Sequence, residues 1–463
     1  MAKLDLTNEN IHPVKAILWL AWPVLLEQVL STLVSFADTA MVGALGVNAT
    51  ASVSISNSFV FLLNSVILAM GTGLTVYVAR HVGAKEYDEA KAYIRHAILL
   101  LAMVGLPIVS LTCLLHRQIP KWMGAAPEIL NSAASYLLIT SSLRIFIMAM
   151  MVLGAVFRGR GDTKTPLYVG IFVNILNVCG NYLLINPTHD VILFGNTYTV
   201  PGAGWGVNGA AASTGFSWFV GGTILLLLLF VKKDPTRISL KESYKPDFAL
   251  IKRVVTLSVP AMLERASMSA SGIVVTRSIA TLGTIAVAAN TVSLTAESFS
   301  YMPAFAFQMA ITTLVGQSLG AGKPDLASRY VRYTIIIGFL TMTAAGIGLY
   351  VFADTLVGII TPDREAAALA ARCLRTVALV QPIQASCWIF GGALRGAGDT
   401  RFPFYITAAG NWCIRALGVF ICIRLLKMPL TAAIWCTNAD VTIRCILMWL
   451  RFRQGKWKTA IRT

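Results

Sequence analysis

Arg158-Gly159-Arg160-Gly161-Asp162-Thr163 and Arg395-Gly396-Ala397-Gly398-Asp399-Thr400 write the same corner twice, 237 residues apart. Working outward, the same offset pairs Pro23 with Pro260, Glu27 with Glu264, Gly46 with Gly283, and Gly83 with Gly320. It also pairs Tyr93 with Tyr330, Pro166 with Pro403, and Asn174 with Asn411. One register held without a gap over this distance marks an internal duplication. The fold must therefore be one that a chain can build twice.

The composition says where it builds it. Of 463 residues, 56% are hydrophobic and only 13% are charged, with a mean hydropathy of +0.70. Water-soluble domains carry about 25% charged residues. The apolar residues also fall in long blocks, such as Ile98–Cys113 and Thr334–Phe352. With their flanks these reach the roughly 20 residues that a helix needs to cross a bilayer. Twelve such spans are expected, near 17–42, 54–78, 96–114, 132–157, 166–186, 208–231, 254–280, 291–316, 334–360, 368–394, 402–425 and 430–450. The polar start, Met1–Val14, lacks the basic stretch and short apolar core of a signal peptide, so the first span reads as retained.

Each copy then holds an even number of spans, so both copies share one orientation. Parallel repeats related by an axis along the membrane normal are a transporter architecture. The expected domains are an N-terminal six-helix bundle, 1–231, and a C-terminal one, 254–463. The polar, basic segment 232–253 joins them.

The net charge of +17 would suit nucleic acid, but its placement does not. With the N-terminus inside, 26 of the 38 Lys and Arg fall in inner segments and 5 in outer loops. That asymmetry is the positive-inside pattern, and it puts both termini in the cytoplasm. The eight cysteines lie mostly within apolar runs and form no C-x-x-C pair, so they read as small buried hydrophobes. The five histidines show no ligand spacing, and no metal, Walker or nucleophile-elbow motif is present. An enzyme, a metal site and a bound cofactor are therefore not expected.

Three motifs together bring a resemblance. The first span ends Ala37-Asp38-Thr39-Ala40-Met41-Val42-Gly43, the second is followed by Gly83-Ala84-Lys85, and the two R-G-x-G-D-T corners stand in register. The whole chain thus resembles the multidrug and toxic compound extrusion family of antiporters. The resemblance implies an all-α membrane protein of two six-helix bundles. It implies a monomer in the cell membrane that exports cationic or amphipathic compounds in exchange for H⁺ or Na⁺. The corners themselves read as structural, with glycines to turn and Pro166 or Pro403 opening the next span.

Acidic residues inside the spans are the site candidates, because a charge in hydrocarbon costs at least about 2.5–3.5 kcal/mol on insertion scales. Asp38 lies in the outer third of the first span. Asn174, Asn177 and Asn181 share one face of the fifth, at i, i+3 and i+7. The DinF-like branch of the resembling family couples through a first-helix Asp and a fifth-helix Asn-x-x-x-Asp. Asp38 and Asn177 match it, while Asn181 stands where that branch has an acid. One carboxylate fewer favours a proton over Na⁺.

Glu27 and Glu264 are repeat mates near mid-span and are candidates for the cavity or for coupling. Glu264 matches an acid that the NorM-like branch uses for cations. That branch also has an Asp in the tenth helix, where Gln384 stands here. Glu297 is a further cavity candidate. Asp440 and Arg444, four apart on one helix, read as an internal ion pair. Asp354 lies near an outer end and is set aside. The substrate reading has a competitor, a flippase for lipid-linked precursors or an exporter of one metabolite. Seven intramembrane arginines raise it: Arg144, Arg265, Arg277, Arg372, Arg375, Arg415 and Arg444.

Overall fold

A backbone inside a bilayer must satisfy its own N–H and C=O groups, and helices do this within each segment. In the computed structural model, which describes residues 4–193 and 196–460, the chain does so almost throughout. Lys3 and Arg462, counted above among the inner basic residues, and the side chain of His189 lie outside the described residues.

The helices of the first copy are α1 (Pro13–Gly43), α2 (Val47–Gly83), α3 (Tyr87–Leu114), a short α4 (Gln118–Trp122), α5 (Pro127–Ser142), α6 (Arg144–Gly159), α7 (Lys164–Ile185) and α8 (Gly206–Val231). Between α7 and α8 stands an antiparallel hairpin, β1 (Pro187–Leu193) and β2 (Asn196–Ala203). The second copy has α9 (Phe248–Ile279), α10 (Thr284–Ser298), α11 (Tyr301–Gly320), α12 (Pro324–Val351), α13 (Ala353–Ile360), α14 (Arg364–Ala378) and α15 (Gln381–Gly396). It continues through α16 (Arg401–Ala409), a π-helical stretch Gly410–Ala416, one turn α17 (Leu417–Phe420), a second π stretch Ile421–Leu425, and α18 (Leu430–Arg453).

All twelve expected spans are helical. Among the described residues, seven helices are long and apolar enough to cross a membrane, counting Arg401–Leu425 as one. Two further crossings are bent pairs, α5 with α6 at 49° and α14 with α15 at 55°. The remaining paths, α9, α10 with α11, and α18, carry Glu264, Arg265, Glu297, Asp440 and Arg444, which lower their mean hydropathy. The sequence reading drew four spans straight that the structure breaks, at Leu143, Phe299–Ser300, Phe352 and Leu379–Val380. Pro382 at the start of α15 explains one of these. No Pro or Gly marks the break at Leu143.

Contacts group the chain into two compact units that do not follow the sequence halves. The first comprises residues 26–74 and 87–254, and the second comprises residues up to 25, 75–86 and 255–463. In the second unit the largest core gathers Ile17, Leu20 and Val24 of α1 with Ile311, Leu314, Tyr330, Ile389 and Leu394. The ends of α2 and α11 also cross in this unit, through two small-xxx-small motifs, Ala79-x-x-x-Gly83 and Gly316-x-x-x-Gly320. A Cβ on Gly83 would collide with the Gln317 carbonyl, and a Cβ on Gly320 with that of Arg80. Arg80 and Gln317 are repeat mates, as are Gly83 and Gly320. The contact is therefore reciprocal, and it is the local two-fold that the duplication requires. Small residues let helix backbones approach this closely in membranes.

Each R-G-x-G-D-T corner is built alike. Gly161 and Gly398 adopt positive φ, 80° and 90°, which glycine takes without a Cβ penalty. Asp162 then accepts from the Thr165 N–H and hydroxyl, at 3.1 and 2.7 Å, and pairs with Lys232 at 2.5 Å. Asp399 pairs with Arg451 at 2.9 Å. In both copies the corner's acid ties the next helix to a basic residue at the end of the copy's last helix.

Candidate functional site

In the first unit α1 and α7 bring their polar residues together. Asn181 Nδ2 donates to Asp38 Oδ1 at 2.5 Å and contacts Asn177 Oδ1 at 3.4 Å. Asn177 Nδ2 donates onward to Thr214 Oγ1 of α8 at 3.1 Å. Asn177 and Asn181 are buried, and Asp38 is partly so. Helical spacing aligns the two asparagines one turn apart, and the close seat of α8 supplies the rest: Ser213 Oγ donates to the Asn177 carbonyl at 2.9 Å. Asn181 Oδ1 is buried without a hydrogen-bond partner.

Three of these groups line a cavity of about 490 Å³. Asp38, Asn181 and Thr214 share its wall with Asn57, Tyr136 and Trp218. It combines one carboxylate, several neutral acceptors and aromatic faces. Such a site can take up one proton and hold an amphipathic ring. Sequence reasoning placed Asp38, Asn177 and Asn181 here but missed Thr214, Tyr136 and Asn57. Those come from other helices, and no spacing within a single span ties them to Asp38.

Glu27 and Glu264 are held differently. Arg158 Nη1 stands 3.6 Å from Glu27 Oε2, and Arg395 Nη1 stands 3.0 Å from Glu264 Oε2. Arg158 and Arg395 are the repeat-mate arginines of the corners. In the second unit Thr407 adds a hydrogen bond to Glu264 Oε1 at 3.1 Å. Both carboxylates thus face guanidinium groups, a partner that sequence reasoning did not assign to them.

Glu297 sits in the second unit, 5% exposed. Gln381 Nε2 donates to its Oε1 at 3.1 Å, and Ser300 Oγ donates to Gln381 Oε1 at 3.1 Å. Tyr301 lies within electrostatic reach of Glu297 and beside Gln384, and its ring packs 5.5 Å from that of Trp388. Gln384 is thus brought to the Glu297 cluster. Glu264 is fixed by Arg395 and Thr407 instead.

The remaining charges are placed as follows. Asp440, fully buried, pairs with Arg444 at 2.8 Å. Asp354 pairs with Arg375 at 2.5 Å. Arg277 and Arg372 are exposed, and Arg415 lies within electrostatic reach of both Glu297 and Asp440. Among the described residues no group of His, Cys, Asp and Glu could hold a metal ion.

Comparison with known proteins agrees with this architecture. The MatE family model matches twice, over residues 23–183 and 260–421. The two matches begin one repeat offset apart. The chain is 30% identical over 444 residues to a probable multidrug resistance protein NorM of Thermotoga maritima, covering 96% of this chain and 93% of the relative. It is 26% identical to an uncharacterized transporter, YisQ, of Bacillus subtilis, covering 95% and 94%. A transporter of the MOP superfamily from Pyrococcus furiosus superimposes with a TM-score of 0.87 at 21% identity, over 99% of this chain and all of that one. A MATE family transporter solved in an outward-facing conformation does so with a TM-score of 0.88 at 20% identity, over 99% of each. A duplicated twelve-helix membrane protein that matches the MatE family in both copies is a transporter and not an enzyme, and the chain belongs to that family.

Proposed function

We propose that the chain is a secondary efflux antiporter for cationic or amphipathic small molecules, coupled to H⁺ through Asp38. One observation carries the reading: Asp38, on the wall of a cavity with aromatic faces, closes a hydrogen-bonded row that runs through Asn181 and Asn177 to Thr214. The relatives named as multidrug resistance proteins support the substrate class.

The chemistry follows from donor and acceptor roles. Ionised Asp38 accepts from the Asn181 amide N–H. A protonated carboxyl carries an added O–H that needs an acceptor, while its other oxygen can still accept. Asn181 Oδ1, buried and without a partner, is the acceptor at hand once that amide turns over. The turn would pass to Asn177 and Thr214, so one proton would rearrange three links between α1, α7 and α8. A cationic substrate competes for the same carboxylate, which is what exchange requires. Two states that bind proton and substrate differently are enough for alternating access. The bundles 1–231 and 254–463, joined by segment 232–253, are the bodies proposed to rock, as a monomer with both termini cytoplasmic.

A single carboxylate in the row favours H⁺ over Na⁺. Glu297, bonded by the neutral Gln381 and close to Tyr301, whose ring packs on the Trp388 indole, is the proposed cation contact of the second unit. Glu27 and Glu264 face arginines, so a proton or cation there must displace a guanidinium. The flippase reading calls for arginines on a cavity wall, and none lines the Asp38 cavity.

The test is ethidium export from proteoliposomes under an imposed pH gradient, then under a Na⁺ gradient, with Asp38→Asn alongside. Export driven by the pH gradient and lost in the variant is the expected result. Export driven only by Na⁺ removes H⁺ as the coupling ion and makes Glu264 the leading site. No export of any cationic dye ends the drug-efflux reading in favour of a flippase or metabolite exporter.

A further inference from the structure

Arg144 opens α6 immediately after the break at Leu143, midway along the bent crossing that runs from Pro127 to Gly159. It is 1% exposed, and its Nε, Nη1 and Nη2 all lack a hydrogen-bond partner. A guanidinium carries five N–H donors and no acceptor. Leaving it buried and uncompensated costs several kcal/mol.

Among the described residues its surroundings offer no anion. The Trp218 ring lies 5.9 Å from the guanidinium carbon. The ionisable side chains within electrostatic reach are Tyr136 and Cys113, both neutral at pH 7. The Ser141 hydroxyl, also fully buried and without a partner, stands one turn back on α5. A helical arginine throws its side chain back toward the preceding turn, past the positive end of its own helix. Several donors and the N-terminus of a 16-residue helix therefore meet with no protein acceptor assigned to them.

The duplication shows what is missing. The repeat mate of Arg144 is Gln381, whose amide donates to the carboxylate of Glu297. The repeat mate of Glu297 is Val60. In the second copy the protein supplies the anion, and in the first it does not.

We propose that Arg144, Ser141 and the start of α6 form a binding site for a monovalent anionic group. Two sources share that chemistry, chloride and a carboxylate carried by a substrate. The site backs onto the Asp38 cavity through Tyr136 and Trp218, which line that cavity. An anionic substrate group would enter from there.

The test uses the purified full-length protein. Its thermal unfolding midpoint is followed in increasing sodium chloride, and separately with added benzoate, each beside the same titration of Arg144→Gln. The wild type is expected to gain a saturable rise of about 2 °C or more. Arg144→Gln is expected to lose it. A rise with chloride assigns the small ion, and a rise with benzoate alone assigns a substrate carboxylate. An equal rise in Arg144→Gln, or no rise with any anion, overturns the site. If that variant does not fold, diffraction from wild-type crystals soaked in bromide or in 4-bromobenzoate decides. Anomalous density beside Arg144 supports the site, and its absence from both soaks overturns it.

Discussion

The two copies of the repeat agree at their corners and at the mid-span glutamate that each corner's arginine faces, and disagree through the rest of the crossings. Both carry the glycine corner, the corner acid tied to a basic residue, and a glutamate facing the corner's arginine. Inside the crossings the mates part. Asp38 answers to Val275, Asn181 to Gly418, Val60 to Glu297 and Arg144 to Gln381. The charges that stayed alike are paired acid to base between helices, and those that diverged stand in one copy only. The duplicated scaffold thus sets up two interiors of different chemistry. The first holds Asp38, bonded by an asparagine, on a cavity lined by Tyr136 and Trp218, and the second holds Glu297, bonded by Gln381, in a cluster with Tyr301 and Trp388.

The largest effect should fall on that difference. Asp38→Asn keeps size and hydrogen-bonding capacity but removes the titratable group, so gradient-driven export should fall about 100-fold, to the level of empty liposomes. Glu297→Gln should keep gradient-driven turnover and raise the half-saturating concentration of a cationic dye by about tenfold. Initial rates of dye efflux across a range of dye concentrations separate the two. Equal loss of turnover in both variants would mean that the copies share the coupling role.

The next effect tests the symmetry itself. Gly83→Val and Gly320→Val each drive a side chain into a backbone carbonyl of the facing helix, Gln317 or Arg80. Each should cost about 3 kcal/mol, as overpacking does at its upper range. The readout is the unfolding midpoint of each variant in detergent. A large loss from only one of the two would show that the crossing is not the reciprocal contact that the repeat implies.

Much of this was legible before any coordinates. Twelve apolar runs and one unbroken offset give the fold, because hydrophobic length and repetition are properties of the chain alone. Asp38 with Asn177 and Asn181 was legible because helical spacing places the two asparagines on one face and span depth brings Asp38 level with them. Glu297 with Gln381 was not: they lie 84 residues apart on different helices, and only packing joins them. The arginine partners of Glu27 and Glu264 were within reach of the repeat, since Arg158 and Arg395 share their offset. What hid them was the expectation that an intramembrane acid faces a cavity. The break at Leu143, which places Arg144, has no local marker at all.

The glutamate–arginine pairs offer a smaller contrast. In the second unit Arg395 Nη1 reaches both oxygens of Glu264, at 3.2 and 3.0 Å, and Thr407 adds a bond. In the first unit the gap is 3.6 Å, and Glu27 Oε2 has no hydrogen-bond partner. Arg395→Met strands a better-bonded carboxylate and should cost about 2 kcal/mol, against about 1 kcal/mol for Arg158→Met. Urea or thermal unfolding of the two variants gives the order directly, and a reversed order would mean that distance does not set the strength of these pairs.

The smallest effect should be a gain. The repeat mate of Thr407 is Gly170, on α7, in the first copy. A Cβ built on Gly170 meets only Glu27 Cγ, at 3.9 Å, which is ordinary contact. Gly170→Thr therefore has room, and it would bring to Glu27 the hydroxyl that Thr407 gives Glu264. Replacing a helix-interior glycine is itself favourable by a few tenths of a kcal/mol, and a hydrogen bond to a charged group adds to that. The variant should be about 1 kcal/mol more stable than wild type. Gly170→Val separates the two contributions, because valine matches threonine in shape and helix propensity without the hydroxyl. If valine stabilises as much as threonine, the added bond is not made, and the two glutamates differ by more than the one missing donor.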